Sequence, residues 1–198
     1  LLAARLHRHG FRAKPWGYWN MRRSILVHAD AFARELTRLD AAPDIERIHL
    51  VTHSMGGIVA RAALDRYRPA KLGRIVMLAP PNRGSFAADV ACGVFGKLLA
   101  PVDELRTADD SLVNSLGMPS GVEIGVIAAG RDALVSEAST RPEVPHAHVT
   151  LPCLHSSLLF RRDAAELVAA FLDCGRFPEA RTARSPGDAS SSPLHHPA

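Results

Sequence analysis

The sequence predicts an α/β fold, a mainly parallel sheet with helices on both faces. Three observations predict it. Short apolar runs alternate with amphipathic, helix-length segments. One of those runs, Arg47 to Thr52, passes through a very tight turn straight into a helix. A third apolar run, Val122 to Ala129, closes on a glycine turn. Strands that alternate with helices need crossover connections, and crossovers give parallel sheets.

Taken in order, residues 2–9 read as the end of a helix stopped by Gly10, and Phe11 to Trp16 as a short strand weakened by Pro15. Residues 24–39 carry Ile25, Ala29, Phe32, Ala33 and Leu36 at helical spacing. Arg47 to Thr52 is a buried strand, Met55 to Arg66 a helix, and Arg74 to Ala79 a second strand closed by Pro80-Pro81. Val122 to Ala129 is the third strand, and Ala147 to Leu154 a strand-like run broken by Pro152. Ala164, Leu167, Val168, Phe171 and Leu172 form a helical stripe near the C-terminus. Residues 1–177 are therefore expected to form one domain. Residues 86–120, with Phe86, Val90, Val94 and Leu98 four apart, are expected to supply a cap segment. Residues 178–198, rich in Pro, Ser, Ala and Arg, read as a disordered tail.

Composition narrows the function. A chain of 198 residues, 47% hydrophobic and 22% charged, is long enough for one well-filled core. No apolar stretch is long enough to span a bilayer, and the start has no secretory pattern. Cys92, Cys153 and Cys174 are too few and too widely spaced for a disulfide framework or a zinc site, and His195-His196 lacks further ligands. The expected compartment is a reducing cytoplasm. The net charge of +4 concentrates in residues 1–38, where eight basic residues face only Asp30 and Glu35. With no nucleic-acid motif beside it, that charge reads as a solvated face, and no nucleic-acid partner is expected.

The run Leu50-Val51-Thr52-His53-Ser54-Met55-Gly56-Gly57-Ile58-Val59 carries the chemistry. A strand ends, a serine sits on the turn, and a helix starts at once. In such a nucleophile elbow the serine is held in a strained conformation that pushes its hydroxyl out at the strand's C-terminal end. The residues two before and two after the serine come close and must be small. Gly56 meets that need, Gly57 lets the helix pack near the strand, and Thr52 stands where glycine is common. The free N–H groups of the new helix face the serine, so the Met55 N–H is placed to donate to an oxyanion. His53, adjacent to Ser54, is expected to point away from the hydroxyl and to serve a structural or pocket-lining role.

A serine hydroxyl needs a base, and the base works best when a carboxylate orients it. With the chain order Ser, acid, His, the candidates follow Ser54. Asp132, in the turn after the third strand, is the favoured acid over Asp103, Asp109, Asp110 and Glu137. His155, between the strand-like run and the C-terminal helix, is the favoured base over His146 and His148.

These residues resemble the α/β-hydrolase superfamily, in particular its small lipase- and esterase-like bacterial members. The resemblance rests on Val51 to Arg61, on Leu78-Ala79-Pro80-Pro81-Asn82-Arg83-Gly84-Ser85, and on Gly130-Arg131-Asp132-Ala133-Leu134-Val135-Ser136 with His155 after it. It implies a serine hydrolase acting on a small-molecule or lipid ester with no metal or organic cofactor, through Ser54, His155 and Asp132, with the Met55 N–H in the oxyanion hole. Acyl transfer, thioester cleavage and amide cleavage share the same acyl-enzyme. One departure stands out: these enzymes usually carry an early strand and a His-Gly loop that supplies a second oxyanion donor. Leu1 enters after the place where that loop would stand. The fold is thus expected to be incomplete at its N-terminus, and a truncated, non-catalytic hydrolase-like protein is the alternative outcome.

Overall fold

A computed structural model describes residues 1–17, 24–84 and 115–178. Its elements in chain order are α1 (Leu2–Arg8), α2 (Ile25–Asp40), β1 (Ile48–His53), α3 (Gly56–Arg66), β2 (Leu72–Leu78), β3 (Ile124–Ala129), α4 (Glu137–Thr140), β4 (Ala147–Leu151), a 3-10 helix (His155–Leu159) and α5 (Arg162–Cys174). The four strands form one sheet in the order β1-β2-β3-β4, and every pair is parallel. The expected α/β class and the parallel sheet are what the chain adopts.

Strand periodicity divides the core. Side chains alternate across a strand, so consecutive residues of β2 face opposite layers. Ile75 and Met77 pack with Ala29, Ala33 and Leu36 of α2 and with Ala60, Ala63 and Leu64 of α3. Val76 and Leu78 pack with Leu6 of α1 and with Val168, Phe171 and Leu172 of α5. Among the described residues, two helices therefore cover each face. β3 is buried at every position, as a central strand under helices on both sides must be.

Local signals explain several of the element ends. Ser24 caps α2 by accepting from the Leu26 N–H at 3.1 Å. Gly10 ends the first helical segment at φ +87°, and Gly175 ends α5 at φ +75°, conformations that suit glycine. β4 stops at Leu151 because Pro152 has no N–H to continue the ladder. Phe11 to Trp16 is not a strand. Its Phe11 N–H returns to the Leu6 carbonyl at 3.1 Å, and among the described residues no strand pairs with it. A β pattern alone does not make a strand when the ladder partner is missing. Residues 86–114 of the expected cap segment and 179–198 of the expected tail lie outside the described residues, as do Cys92 and His195-His196. Among the described residues no helix is long and apolar enough to cross a membrane.

Gly125 on β3 shows how tightly α5 is seated. A Cβ there would stand 2.9 Å from the Phe171 ring, so the missing side chain is what admits the aromatic. Phe171 is 1% exposed and lies 5.0 Å, centroid to centroid, from Phe177. Phe171→Ala is expected to remove about 3–5 kcal/mol of stability, read as a lower midpoint in urea unfolding.

Candidate active site

Parallel pairing brings the C-terminal ends of all four strands to one edge. His53 pairs with Leu78, Leu78 with Ile127, and Ile127 with Val149. Bonds past the strand ends continue the alignment. The Ser54 N–H donates to the Leu78 carbonyl and the Ala79 N–H to the Ile127 carbonyl, both at 2.9 Å. Ser54, Asp132 and His155, which follow β1, β3 and β4, are thereby delivered to the same edge.

The turn after β1 has the strain the sequence predicts. Ser54 sits at φ +52°, in the left-handed region that non-glycine residues avoid. Met55 caps α3, which starts at Gly56, one residue later than expected. The Gly57 N–H bonds back to the Ser54 carbonyl at 2.9 Å, and the Val59 N–H to the Met55 carbonyl at 3.1 Å. Among the described residues the Met55 N–H meets no acceptor.

Of the two glycines, Gly57 packs close to the strand as expected, while Gly56 does not carry the expected steric limit. Among the described residues a Cβ on Gly56 would meet nothing within 4 Å, so Gly56 is not the tight position there. A Cβ on Gly57 would stand 3.3 Å from the Pro80 Cβ and 3.4 Å from the Thr52 hydroxyl oxygen. Gly57 therefore sets how closely α3 approaches β1 and the turn after β2. Thr52 is accommodated with its hydroxyl toward Gly57, where the oxygen is buried and finds no hydrogen-bond partner among the described residues.

Asp132 and His155 form a buried pair. The His155 Nδ1–H donates to Asp132 Oδ2 at 2.6 Å, and the two side chains are only 10% and 2% exposed. The other Asp132 oxygen accepts from the Leu134 N–H at 2.8 Å and the Val135 N–H at 3.0 Å. Three donors thus meet a carboxylate removed from water, which is what makes its burial affordable. The loops that carry the pair are tied directly. The Gly130 N–H reaches the Leu151 carbonyl at 2.7 Å, and the Arg131 N–H the Cys153 carbonyl at 3.0 Å. His155 opens the 3-10 helix rather than lying on an open loop.

The other candidates go elsewhere. His148 Nε2 lies 3.1 Å from the Thr140 hydroxyl, and the His146 ring bonds to the Val144 carbonyl through Nδ1 at 2.8 Å. Glu137 pairs with Arg141 at 3.2 Å. Asp103, Asp109 and Asp110 lie outside the described residues. Among the described residues no hydrogen bond joins the Ser54 hydroxyl to His155, and such bonds often tighten only when substrate is bound. Also among them, no group of His, Cys, Asp or Glu is arranged to hold a metal ion.

Sequence reading passed over Arg61 on α3, which is 5% exposed. Its guanidinium donates to the carbonyls of Asn82 at 3.2 Å, Gly117 at 3.3 Å and Leu116. Burial pushes its pKa down to about 10. Asn82, equally buried, donates in turn to the Thr140 carbonyl at 2.8 Å. The helix behind the serine, the Pro-Asn-Arg-Gly loop and the segment after the acid loop are thus one hydrogen-bonded unit. The signal was present in the sequence as an arginine within the apolar run Ile58 to Leu64. Periodicity alone does not say which way such a residue points.

Comparison with known proteins adds the following. The family model described as the PGAP1-like alpha/beta domain matches residues 25–129, which hold Ser54 and stop short of Asp132. The structure is similar to that of phospholipase PlaB from Legionella pneumophila in complex with thio-NAD, with a TM-score of 0.62 at 16% identity. That alignment covers 87% of this chain and 57% of PlaB, so the chain spans little more than half of PlaB's length. It is also similar to the mature form of Bacillus licheniformis lipase BlEst2, with a TM-score of 0.55 at 17% identity, covering 78% of this chain and 75% of BlEst2. At such identities the likeness is one of fold. No curated protein sequence matches the chain.

The left-handed turn makes a stability prediction. Glycine at position 54 releases the conformational strain that alanine retains. Ser54→Gly is expected to be more stable than Ser54→Ala by about 1 kcal/mol, measured by thermal or urea unfolding of the two variants side by side.

Proposed function

The chain belongs to the PGAP1-like alpha/beta domain family, within the α/β-hydrolase superfamily, and on that premise we propose that it is a serine hydrolase cleaving carboxylic esters through an acyl-enzyme on Ser54. The observation that carries this reading is the buried 2.6 Å bond between Asp132 and His155 at the sheet edge that also holds the strained Ser54 turn. A buried carboxylate that spends one oxygen on an imidazole and the other on two backbone donors is arranged to orient a base.

In the proposed reaction Ser54 Oγ attacks the ester carbonyl carbon, and His155 Nε2 takes the hydroxyl proton. Asp132 keeps the proton on Nδ1 and stabilises the imidazolium that forms. The Met55 N–H, at the start of α3, donates to the carbonyl oxygen as it gains negative charge. Collapse of the tetrahedral intermediate breaks the bond to the alkoxy oxygen, which leaves with the proton from His155. Water then attacks the acyl-serine, His155 accepts its proton and returns it to Ser54 Oγ, and the carboxylic acid departs. Each proton taken is given back, and no oxidant or reductant is consumed. The proposed substrates are small-molecule or lipid esters, in keeping with the lipase and phospholipase names of the similar structures.

The test is labelling with a fluorophosphonate probe together with turnover of a short-chain aryl ester. Wild type is expected to label and Ser54→Ala to lose labelling; equal labelling of both would remove Ser54 from the reaction. Asp132→Asn is expected to lower kcat by about 10⁴-fold, because the amide no longer holds the correct imidazole tautomer. Near-normal turnover by that variant would move the acid to another residue.

A further inference from the structure

His53 precedes the proposed nucleophile, and nothing in the reaction just described uses it. It is the last residue of β1, so a strand within the hydrogen-bonded ladder fixes its backbone. Its Nε2 lies 3.3 Å from the backbone carbonyl oxygen of His155. A carbonyl oxygen only accepts, so Nε2 carries the proton in this contact. The two imidazole rings lie 4.9 Å apart, centroid to centroid, and are tilted by 55°.

The geometry points to His53 as a positioning residue for the proposed base: its Nε2–H holds the backbone of His155 over the nucleophile turn. This inference rests on the reading of Ser54 and His155 above. Among the described residues, the sheet, the loops after β3 and β4 and the Arg61–Asn82 bonds also join the two sides of the reaction centre, but none of these bonds reaches the His155 main chain. Through His53 the strand that ends at the serine takes hold of the residue that carries the base. Asp132 fixes the far nitrogen of the imidazole, and His53 fixes the main chain from which the imidazole hangs. Together they leave the ring few ways to turn.

Two features suit an imidazole to this position. Burial, and then the neighbouring His155, push the pKa of His53 down, so it stays a neutral donor while its neighbour takes up a proton. A cation at position 53 would instead oppose the imidazolium on His155. The ring also fills space against His155 that a shorter polar side chain leaves open.

The test uses the full chain and three variants. His53→Phe keeps a ring without a donor, His53→Asn keeps a donor with too short a reach, and His53→Gln restores both donor and reach. Two readouts are taken: kcat and KM for p-nitrophenyl butyrate, and the downfield proton resonance of the His155–Asp132 bond. That resonance is identified by its loss in Asp132→Asn. His53→Phe and His53→Asn are expected to lower kcat by about tenfold with KM within about twofold, and to broaden the resonance. His53→Gln is expected to recover kcat to within about threefold and to keep the resonance sharp. A wild-type kcat and a sharp resonance in His53→Phe or His53→Asn would overturn the proposal, as would a His53→Gln that falls as far as His53→Phe. Equal turnover by wild type and Ser54→Ala would instead sink the reading of the site. The resonance would then still decide whether His53 positions His155.

Discussion

The parallel ladder is the constraint on which everything else depends. Because β1, β2, β3 and β4 all run the same way, every turn that leaves a strand's C-terminal end emerges at one edge. A serine after the first strand, an aspartate after the third and a histidine after the fourth are far apart in sequence. In space they are brought to one edge, where the rings of His53 and His155 lie 4.9 Å apart. The ladder does not stop where the strands end. The bonds from Ser54 to Leu78, from Ala79 to Ile127, from Gly130 to Leu151 and from Arg131 to Cys153 carry the alignment into the turns. Residues of the candidate site are therefore held by backbone bonds as well as by their own side chains.

Two costs are concentrated at that edge, and each is offset locally. Ser54 and Ala79 both hold positive φ, at +52° and +43°, and each is fixed by a backbone bond to the next strand. Conformations of this kind cost on the order of 1–3 kcal/mol each and persist only where the surroundings over-determine them. Asp132 is removed from water, and its three donors offset the loss of hydration. The edge is thus costly to assemble and rigid once assembled. A reaction that depends on fixed dipoles and fixed distances needs that rigidity.

Behind the edge, a buried cation does the joining. Arg61 takes carbonyls from the loop after β2 and from residues 116–117, while Asn82 links that loop to Thr140. Several carbonyls around one guanidinium satisfy donors and acceptors together, whereas truncating the side chain would strand them. The helix that begins at the serine and the segment that follows the aspartate are in this way fastened from below. The 3.3 Å contact of His53 with the His155 carbonyl and the Asp132–His155 bond add further links across the edge.

Much of this was legible before any coordinates. Ile25, Ala29, Ala33 and Leu36 at three- and four-residue spacing, the fully apolar run over β3 and the stripe on α5 report burial through period alone, because each face is determined by neighbours along the chain. The Ser54 turn was readable because a strand, a serine, two glycines and a helix in immediate succession leave few backbone paths. Asp132 and His155 were readable as candidates by chain order and by their places after strands. What sequence could not supply was pairing. Phe11 to Trp16 has a strand's pattern and forms none, since a ladder needs a partner that the pattern does not contain. Gly57, not Gly56, is the tight position, because the limiting distances run to Thr52 and to Pro80 on the turn after another strand. The direct bond between His155 and Asp132, the inward turn of Arg61 and the reach of His53 to the His155 carbonyl were likewise decided only by the tertiary structure. Local preference is written residue by residue along the chain. A contact between residues a hundred positions apart exists only after the sheet has set the distance between them.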